Sequence, residues 1–539
     1  MPQRNGKNLV KGTLVLITGN IIVKILGALF KLPLANIIGA DGMGLYNASF
    51  IVFDIFLVLS TAGFPLAISK MVSKANAMGN DNEALKIFTV SRNLFLIIGI
   101  SCTVIMLAGS KMFSQLIGNT RSYYAMLALA PAILFVSLMS AYRGYYQGTN
   151  DMIPTTISQI VEAVCRLTIG LSLSWYLKQA GYGIEIVAVG AIVGITVGEF
   201  SATFSLGVIH HFKVKKTKIN TKCKTSSISI IKTMFATSIP IGISTLIIAV
   251  INMLDNAVVM RRLQFIGNTE KQANILYGCF NMAFTVFSLP ITVVAALTIS
   301  VFPVLSYAFA CKDYRRVSKA ASASLRMAML ASTAAAAMFL SLSYPIVQLL
   351  YFNQPKDAAV AAPLLMMMGP AAISISLTML TTCILQSIDK LLVPSRSMII
   401  GGIVCLGLNW FLVGNKAFGI YAAPIGIFVC YTITAILNIL AIRKTGHIKI
   451  SYKNLFYKPL LPAVIMAFTG IITFEATISH LGLLKAAAVS ILFCFINYTL
   501  VLFLNKSIDK QDLLMLPKGK SIIGALEKVR LLPKSNIKL

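Results

Sequence analysis

Residues 12–36 read GTLVLITGNIIVKILGALFKLPLAN, an almost wholly apolar segment that carries Lys24 and Lys31. Its length suits a helix that crosses a bilayer once. The two lysines are about two helical turns apart, so they lie on one face of such a helix. A lysine near the centre of a bilayer costs about 2.5 to 3.5 kcal/mol on insertion scales, which makes a lipid-facing position unfavourable. We therefore expect both lysines to line a wet cavity or to meet an acidic partner.

The whole chain has the composition of an integral membrane protein. Of its 539 residues, 57% are hydrophobic and 12% are charged, and the mean hydropathy is +0.82. A soluble domain cannot bury so large a share of apolar surface. Apolar runs of about twenty residues recur from end to end, which is the pattern of membrane helices and not of barrel strands. We predict an all-α membrane protein.

Hydropathy predicts about 14 transmembrane helices. They cover residues 12–36, 45–69, 91–110, 123–147, 154–177, 185–210, 233–258, 275–307, 325–350, 361–387, 394–414, 418–442, 459–479 and 483–504.

The helices group into two six-helix halves, an N-terminal one at 1–211 and a C-terminal one at 233–443. A basic cytoplasmic linker, 212–232, joins the halves. Two additional transmembrane helices lie within 444–504, and a basic cytoplasmic tail covers 505–539. Because each half has an even number of helices, the two have the same orientation, and we predict pseudo-symmetry about an axis along the membrane normal. Such an architecture is typical of transporters.

Short recurring motifs support this division. The first half contains Ala130-Pro131, Gln147 and Pro154, which recur in the second half as Gly369-Pro370, Gln386 and Pro394. Their shared order and nearly constant offset indicate a duplication.

The net charge of +30 does not point to nucleic acid, because the basic residues are scattered over short loops without a DNA- or RNA-binding motif. Most of them fall in alternate loops, together with the N-terminal segment and the C-terminal tail. By the positive-inside rule, we predict a multi-pass membrane protein with both termini in the cytoplasm.

Enzymatic motifs are absent from the sequence. It contains no Walker loop, no H-E-x-x-H and no G-x-S-x-G. The nine cysteines are dispersed, without the spacing of a metal site or of a disulfide framework. We predict neither catalytic residues, nor a metal, nor a cofactor.

Charged residues inside the predicted helices are the candidates for function. Lys24 and Lys31 are predicted to bind substrate, because two cations in a partly dehydrated cavity suit an anion such as a pyrophosphate headgroup. Neutralisation by Asp54 or Asp255, and snorkelling of Lys31 to the surface, are the alternatives. A second set either couples an ion or forms structural pairs: Asp54, Glu162, Arg166 and Asp255. Glu162 and Arg166 are four residues apart, which permits an ion pair on one helix face.

Several motifs resemble those of the multidrug/oligosaccharidyl-lipid/polysaccharide (MOP) exporter superfamily. They are Val23-Lys24-Ile25-Leu26-Gly27, the stretch from Ile38 to Tyr46, Gly63-Phe64-Pro65, Tyr145-Tyr146-Gln147-Gly148, Met152-Ile153-Pro154 and Phe302-Pro303. The resemblance is to the bacterial polysaccharide-biosynthesis and stage V sporulation protein B branch, which is related to lipid II flippases.

The resemblance implies a flippase of the bacterial cell membrane that moves an undecaprenyl-pyrophosphate-linked saccharide, either lipid II or a related polysaccharide precursor, across the membrane by alternating access. The predicted partners are this lipid and membrane lipids. Outward movement of a charged group requires a driving force, either the membrane potential or the gradient of an unidentified coupling cation. Cationic positions on the first helix of lipid II flippases are similar to Lys24 and Lys31. Those flippases also carry an arginine on the eighth helix, whereas the matching region from Asn281 to Pro290 has none.

Two other functions are considered. A drug/cation antiporter of the same superfamily would need a cavity in which acidic residues dominate, and Lys24 and Lys31 weigh against it. A non-transporting scaffold for cell-wall synthesis would act through its basic loops and tail, and it would not depend on the two lysines.

Overall fold

The computed structural model of the protein describes residues 4–214, 226–446, 448 and 453–505. In this part of the chain the residues form helices joined by short turns, without strands. The all-α prediction is therefore confirmed. The basic tail beyond residue 505 and the centre of the basic linker lie outside the described residues, so their predicted roles stay predictions.

The α-helices of the described residues are α1 (Arg4–Thr61), α2 (Phe64–Ala77), α3 (Asp81–Ile117), α4 (Tyr123–Gly148), α5 (Ile153–Gln179), α6 (Ile184–Val214), α7 (Ser227–Phe265), α8 (Glu270–Ala310), α9 (Tyr314–Leu350), α10 (Pro355–Ser387), α11 (Leu392–Leu412), α12 (Ala422–Lys444) and α13 (Lys458–Leu504). In the described part, 11 helical segments are long and apolar enough to cross a membrane. The prediction of a multi-span helical protein is confirmed, whereas about 14 crossings stays a prediction.

Two of the helices, α1 and α13, each extend over two predicted spans, although α1 ends within the second span of its pair. In α1 the kink between them lies at Gly39, with φ 65° and ψ −173°. In α13 it lies at Gly482, with φ 72° and ψ 168°. Glycine is the residue that readily adopts this backbone region, because a Cβ would clash there. The glycines therefore allow the chain to change direction between successive spans.

The predicted span 45–69 crosses a helix boundary. Helix α1 ends at Thr61, and α2 begins at Phe64 after Gly63, whose φ of 75° is left-handed. Pro65 occupies the first turn of α2, where its missing N–H has no helical partner to lose. Hydropathy missed this break because the residues on both sides are similarly apolar, although the Gly-Phe-Pro sequence contained the signal.

The chain forms two compact units, Met1–Asn281 and Met282–Leu539. In the first unit, buried side chains of α2, α3, α4 and α7 share one core, which includes Phe64, Phe88, Phe95 and Met234. In the second unit, Tyr351 is fully buried, and its hydroxyl donates a hydrogen bond to the carbonyl oxygen of Met282 at 2.9 Å. The division of the sequence into halves at 1–211 and 233–443, and the origin of these halves by duplication, stay predictions.

Helices α5 and α6 approach each other closely in the first unit. A Cβ added to Gly194 of α6 would lie 2.4 Å from the Cα of Gly170 in α5. The Phe30 ring of α1 lies against Gly170, 2.9 Å from the position that a Cβ on Gly170 would occupy. The absence of side chains at Gly170 and Gly194 thus brings α1, α5 and α6 together beside the charged residues described next.

Candidate functional site

The two lysines of α1 differ in their surroundings. Lys24 is exposed, and Lys31 is partly buried. Within the described residues, neither takes part in an ion pair with an acidic side chain. Lys31 interacts electrostatically with Arg166 of α5, a residue of the same charge.

Arg166 belongs to a buried charge cluster, which we define as Arg143, Glu162, Arg166 and Glu199. Arg166 Nη2 donates to Glu162 Oε1 at 2.7 Å, and Arg143 Nη2 donates to Glu162 Oε2 at 3.2 Å. Glu199 Oε1 lies 3.6 Å from Arg166 Nη2. The ion pair that the four-residue spacing of Glu162 and Arg166 permits is thus present, and two residues from α4 and α6 extend it.

The cluster contains two arginines and two glutamates. Glu199 is 5% exposed, and it interacts with Glu162 as well as with Arg166. Arg166 Nε has no hydrogen-bond partner in the described part of the chain. Buried polar atoms are usually hydrogen-bonded, so this nitrogen is a donor that another group can bind.

The two aspartates proposed from the sequence are not members of this cluster as defined above. Asp54 is a partly buried residue of α1, and among the described residues it forms no ion pair. Asp255, on α7, interacts electrostatically with Tyr277 of α8. Neutralisation of Lys24 or Lys31 by Asp54 is therefore not present in this structure.

A second polar group, which the sequence did not reveal, surrounds Arg121 between α3 and α4. Its guanidinium donates to both carboxylate oxygens of Asp41, at 2.8 and 2.9 Å, and to Glu185 Oε1 at 2.7 Å. Asn274 Nδ2 donates to Asp41 Oδ1 at 2.6 Å. The backbone N–H of Arg121 donates to Glu270 Oε1 at 3.2 Å. We call these five residues the Arg121 network.

The Arg121 network joins four connections that are far apart in sequence. Asp41 follows the kink of α1, Glu185 lies in the first turn of α6, and Glu270 lies in the first turn of α8. These connections all belong to the set of alternate loops predicted on the outer side of the membrane. Their predicted location on one side of the membrane is the sequence signal that could have suggested the network. Loop position alone, however, does not show which side chains pair.

An aromatic cluster lies around His210, near the end of α6. The ring centroids of His210 and Phe88 are 4.1 Å apart, and Tyr146 Oη lies 3.4 Å from His210 Nδ1. Lys213 forms an ion pair with Asp151 nearby. The sequence predicted His210 at the end of a span and assigned it no role. In the structure, its contacts join the ends of α3, α4 and α6.

Comparison with known families decides what kind of protein carries this site. A family described as "Polysaccharide biosynthesis protein" matches residues 9–309, more than half of the chain. The chain belongs to the polysaccharide biosynthesis protein family. A second family, MatE, matches residues 240–411. Membership in the polysaccharide biosynthesis family confirms the resemblance to the MOP superfamily drawn from the sequence.

Curated relatives of this polysaccharide biosynthesis family member come from Bacillus subtilis (strain 168). Stage V sporulation protein B is 25% identical over 452 residues, which cover 83% of this chain and 85% of the relative. Lipid II flippase MurJ is 26% identical over 480 residues, which cover 86% of this chain and 87% of the flippase.

Solved structures share the fold. An inward-facing multidrug resistance MATE family transporter of the MOP superfamily matches with a TM-score of 0.66 and 16% identity, covering 78% of this chain and 94% of the transporter. A MOP superfamily transporter from Pyrococcus furiosus matches with a TM-score of 0.58 and 16% identity, covering 82% and 96%. With the family match, the chain is a multi-pass membrane transporter of this superfamily and not an enzyme.

Proposed function

We propose that the protein is a flippase that moves an undecaprenyl-pyrophosphate-linked saccharide from the inner to the outer leaflet of the bacterial cell membrane by alternating access. Lipid II and related polysaccharide precursors are the substrates of this class. Lys24 and Lys31 attract the pyrophosphate, while the prenyl chain stays in or beside the lipid. The relatives named a lipid II flippase and a sporulation protein support this choice.

The observation that carries the proposal is the state of Lys31. It is partly buried on α1, and among the described residues it forms no ion pair with an acidic side chain, while Arg166, of the same charge, interacts with it electrostatically. A cation held in this way favours an anionic ligand, because the ligand would supply the missing counter-charge. A transporter for cationic drugs would instead need acidic side chains to dominate around α1.

The membrane potential can supply the driving force. An inside-negative potential favours outward movement of an anion by about 2.3 kcal/mol per elementary charge for each 100 mV. A coupling cation is a further part of the proposal, with Asp54, Glu162 and Asp255 as the candidate carboxylates.

The test is depletion of the protein in its host bacterium, followed by measurement of the lipid-linked saccharide in each leaflet. We expect loss of the protein to lower the amount of lipid-linked saccharide in the outer leaflet and to raise it in the inner leaflet. Wild-type protein should restore the distribution, and Lys24→Ala or Lys31→Ala, expressed at normal levels, should not. Lys111→Ala is the matched control, since this exposed lysine of α3 lies outside the site.

Three results would contradict the proposal in different ways. Full rescue by both lysine variants would refute the binding role. An unchanged leaflet distribution on depletion, together with increased sensitivity to cationic drugs, would support the antiporter. A defect caused by truncation of the tail after residue 505, with normal rescue by both lysine variants, would support the scaffold.

A further inference from the structure

Glycine packing places Glu199 of α6 against Glu162 of α5. A Cβ added to Gly198, next to Glu199 in sequence, would lie 2.9 Å from the backbone carbonyl oxygen of Glu162. Gly194, one turn earlier on α6, makes the close approach to Gly170 described above. Glu199 is therefore enclosed between two helices, and it is 5% exposed. A carboxyl group in such a place needs a cation or a proton, because burial removes the hydration that stabilises its charge.

The two arginines of the cluster are bonded to Glu162 and not to Glu199. Arg166 Nη2 donates to Glu162 Oε1 at 2.7 Å, and Arg143 Nη2 donates to Glu162 Oε2 at 3.2 Å. Arg143 is also fixed by a hydrogen bond from its Nε to Ser158 Oγ at 3.1 Å. Arg166 Nη2 lies 3.6 Å from Glu199 Oε1, which is beyond hydrogen-bond distance. Both oxygens of Glu162 thus accept from a cation, whereas Glu199 needs another source of stabilisation.

That source is a side-chain hydrogen bond between Glu199 and Glu162. An ionised carboxylate can only accept hydrogen bonds, so a bond between two carboxyl groups requires one of them to hold a proton. Glu162 accepts from two guanidinium groups, which favour its ionised form. The proton therefore belongs to Glu199.

The charges around the pair make this proton hard to lose unless a partner changes. Glu199 interacts electrostatically with Glu162, Arg166 and Arg143. From α1, Lys31 and Tyr46 interact with Arg166. Of the groups that act directly on Glu199, Glu162 carries a negative charge. Loss of the proton would therefore place two carboxylates side by side, a repulsive arrangement that needs a cation between them.

Arg166 can supply that cation. Its Nε is buried and has no hydrogen-bond partner in the described part of the chain. A shift of about 0.6 Å would bring its Nη2 within hydrogen-bond distance of Glu199 Oε1. Arg143 would keep Glu162 paired during this shift. The cluster thus allows two states, one with the proton on Glu199 and one in which Glu199 is ionised and paired with Arg166.

We propose that Glu162 and Glu199 form a proton-binding site, and that Glu199 releases its proton when Arg166 becomes its partner. The proton is then the coupling cation of the transport cycle. This coupling role rests on the proposed function, because it needs a transported substrate. It requires that the proton moves inward while the lipid-linked saccharide moves outward.

Infrared spectroscopy tests the proton directly, because the C=O stretch of a protonated carboxyl group is separate from the bands of a carboxylate. The purified full-length protein in nanodiscs of neutral lipid is measured from about pH 5 to about pH 9. We expect wild type to lose one protonated carboxyl signal reversibly within this range. Glu199→Gln, whose amide donates to Glu162 in place of the proton, should lack that signal. The matched control Glu475→Gln introduces the same amide at an exposed position of α13 and should keep it.

Arg166→Lys tests the exchange of partners. Lysine keeps the positive charge but lacks the Nε donor and the planar fork of arginine. The ionised form of Glu199 is then less well stabilised, so we expect its carboxyl signal to persist to a pH about one unit higher than in wild type. Gel filtration and thermal unfolding check that the variant is folded.

Coupling is tested in the host bacterium by measuring the lipid-linked saccharide in each leaflet after depletion and rescue. Nigericin exchanges protons for potassium ions and removes the pH gradient, whereas valinomycin with potassium removes the membrane potential. We expect nigericin to lower the ratio of outer to inner saccharide in wild type, by up to about tenfold for each unit of pH gradient removed. Glu199→Gln should have a low ratio that nigericin leaves unchanged, and Glu475→Gln should behave as wild type.

Each step of the proposal has its own contrary result. A wild-type protein without a titrating carboxyl signal, or the same signal in Glu199→Gln, would overturn the proton-binding site. An unchanged titration in folded Arg166→Lys would overturn the exchange of partners. A titrating site in a protein that does not respond to nigericin would overturn the coupling role. If the infrared results hold but depletion leaves the leaflets unchanged, the proton-binding site stands and the flippase function fails.

Discussion

Arg121→Gln tests the physical role of the Arg121 network independently of transport. The substitution removes the paired hydrogen bonds to Asp41, at 2.8 and 2.9 Å, and the bond to Glu185 at 2.7 Å. It leaves both carboxylates close together without their shared cation. Hydrogen bonds to Asp41 from Asn274 stay in place, so the backbone near the kink of α1 keeps one support.

The magnitude follows from the burial of the partners. Removing one member of a fully buried ion pair costs about 3 to 5 kcal/mol. The side chains of Arg121, Asp41 and Glu185 are 20%, 16% and 33% exposed, so water screens part of the effect. We expect a loss of about 2 to 3 kcal/mol in the free energy of unfolding. Arg121→Lys keeps the charge but loses the planar fork, and should cost about 1 kcal/mol.

The assay is thermal unfolding of the purified protein in detergent, followed by reaction of buried cysteines with a fluorescent thiol probe. Cys279 of α8 is 1% exposed and becomes reactive when the first unit opens. We expect Arg121→Gln to lower the unfolding temperature by about 3 to 5 °C, since the entropy of unfolding grows with the size of the unit that unfolds. All variants are heated at one fixed rate, because unfolding of large proteins is often irreversible.

A neighbouring cation provides the control. Lys271→Gln removes an exposed positive charge at the start of α8, and it should change the unfolding temperature by less than about 1 °C. The losses of Arg121→Gln and Asp41→Asn should not add in the double variant, because both remove the same interaction. Additive losses, or an Arg121→Gln protein as stable as Lys271→Gln, would refute the reasoning.

Three further substitutions and one control test a backbone conformation, a close helix contact and a buried hydrogen bond. Gly39→Ala should cost about 1 to 3 kcal/mol, measured by the same unfolding assay, because its φ of 65° and ψ of −173° disfavour any Cβ. Gly194→Ala should destabilise by a similar amount, about 1 to 3 kcal/mol, because its Cβ would lie 2.4 Å from Gly170, whereas Gly27→Ala, with open space around it, should be neutral. Tyr351→Phe should cost about 1 kcal/mol by leaving the Met282 carbonyl without its donor, and an unchanged unfolding temperature would contradict that hydrogen bond.

The sequence predicted the features that depend on residues close together in the chain. Apolar runs predicted the helices, because a segment in lipid must satisfy its backbone internally. The Glu162–Arg166 pair was predictable because four residues make one helical turn. The kink at Gly39 falls in the connection between the first two predicted spans, 12–36 and 45–69. The break at Gly63 lies inside the second predicted span and was not predicted, since hydropathy carries no information about φ.

Features that depend on packing between distant segments could not be predicted. Glu199 joins Arg166 only because α5 and α6 approach at Gly170 and Gly194. Asp41 and Arg121 are both polar residues in short connections, and nothing in their local sequence indicates the partner. Identifying Asp41 and Arg121 as partners requires the three-dimensional arrangement of four connections. No local pattern in a single sequence contains that information.

The ion pairs of the buried cluster have a consequence for how this protein can evolve. Losing Glu162 alone leaves two neighbouring guanidinium groups, and losing Arg166 alone leaves a buried carboxylate, so either single step is costly. Replacement by uncharged residues costs less stability when an acid and a base of the same ion pair change together. We expect Arg143, Glu162, Arg166 and Glu199 to covary across relatives, and lineages that lack one of them to have replaced its partner as well.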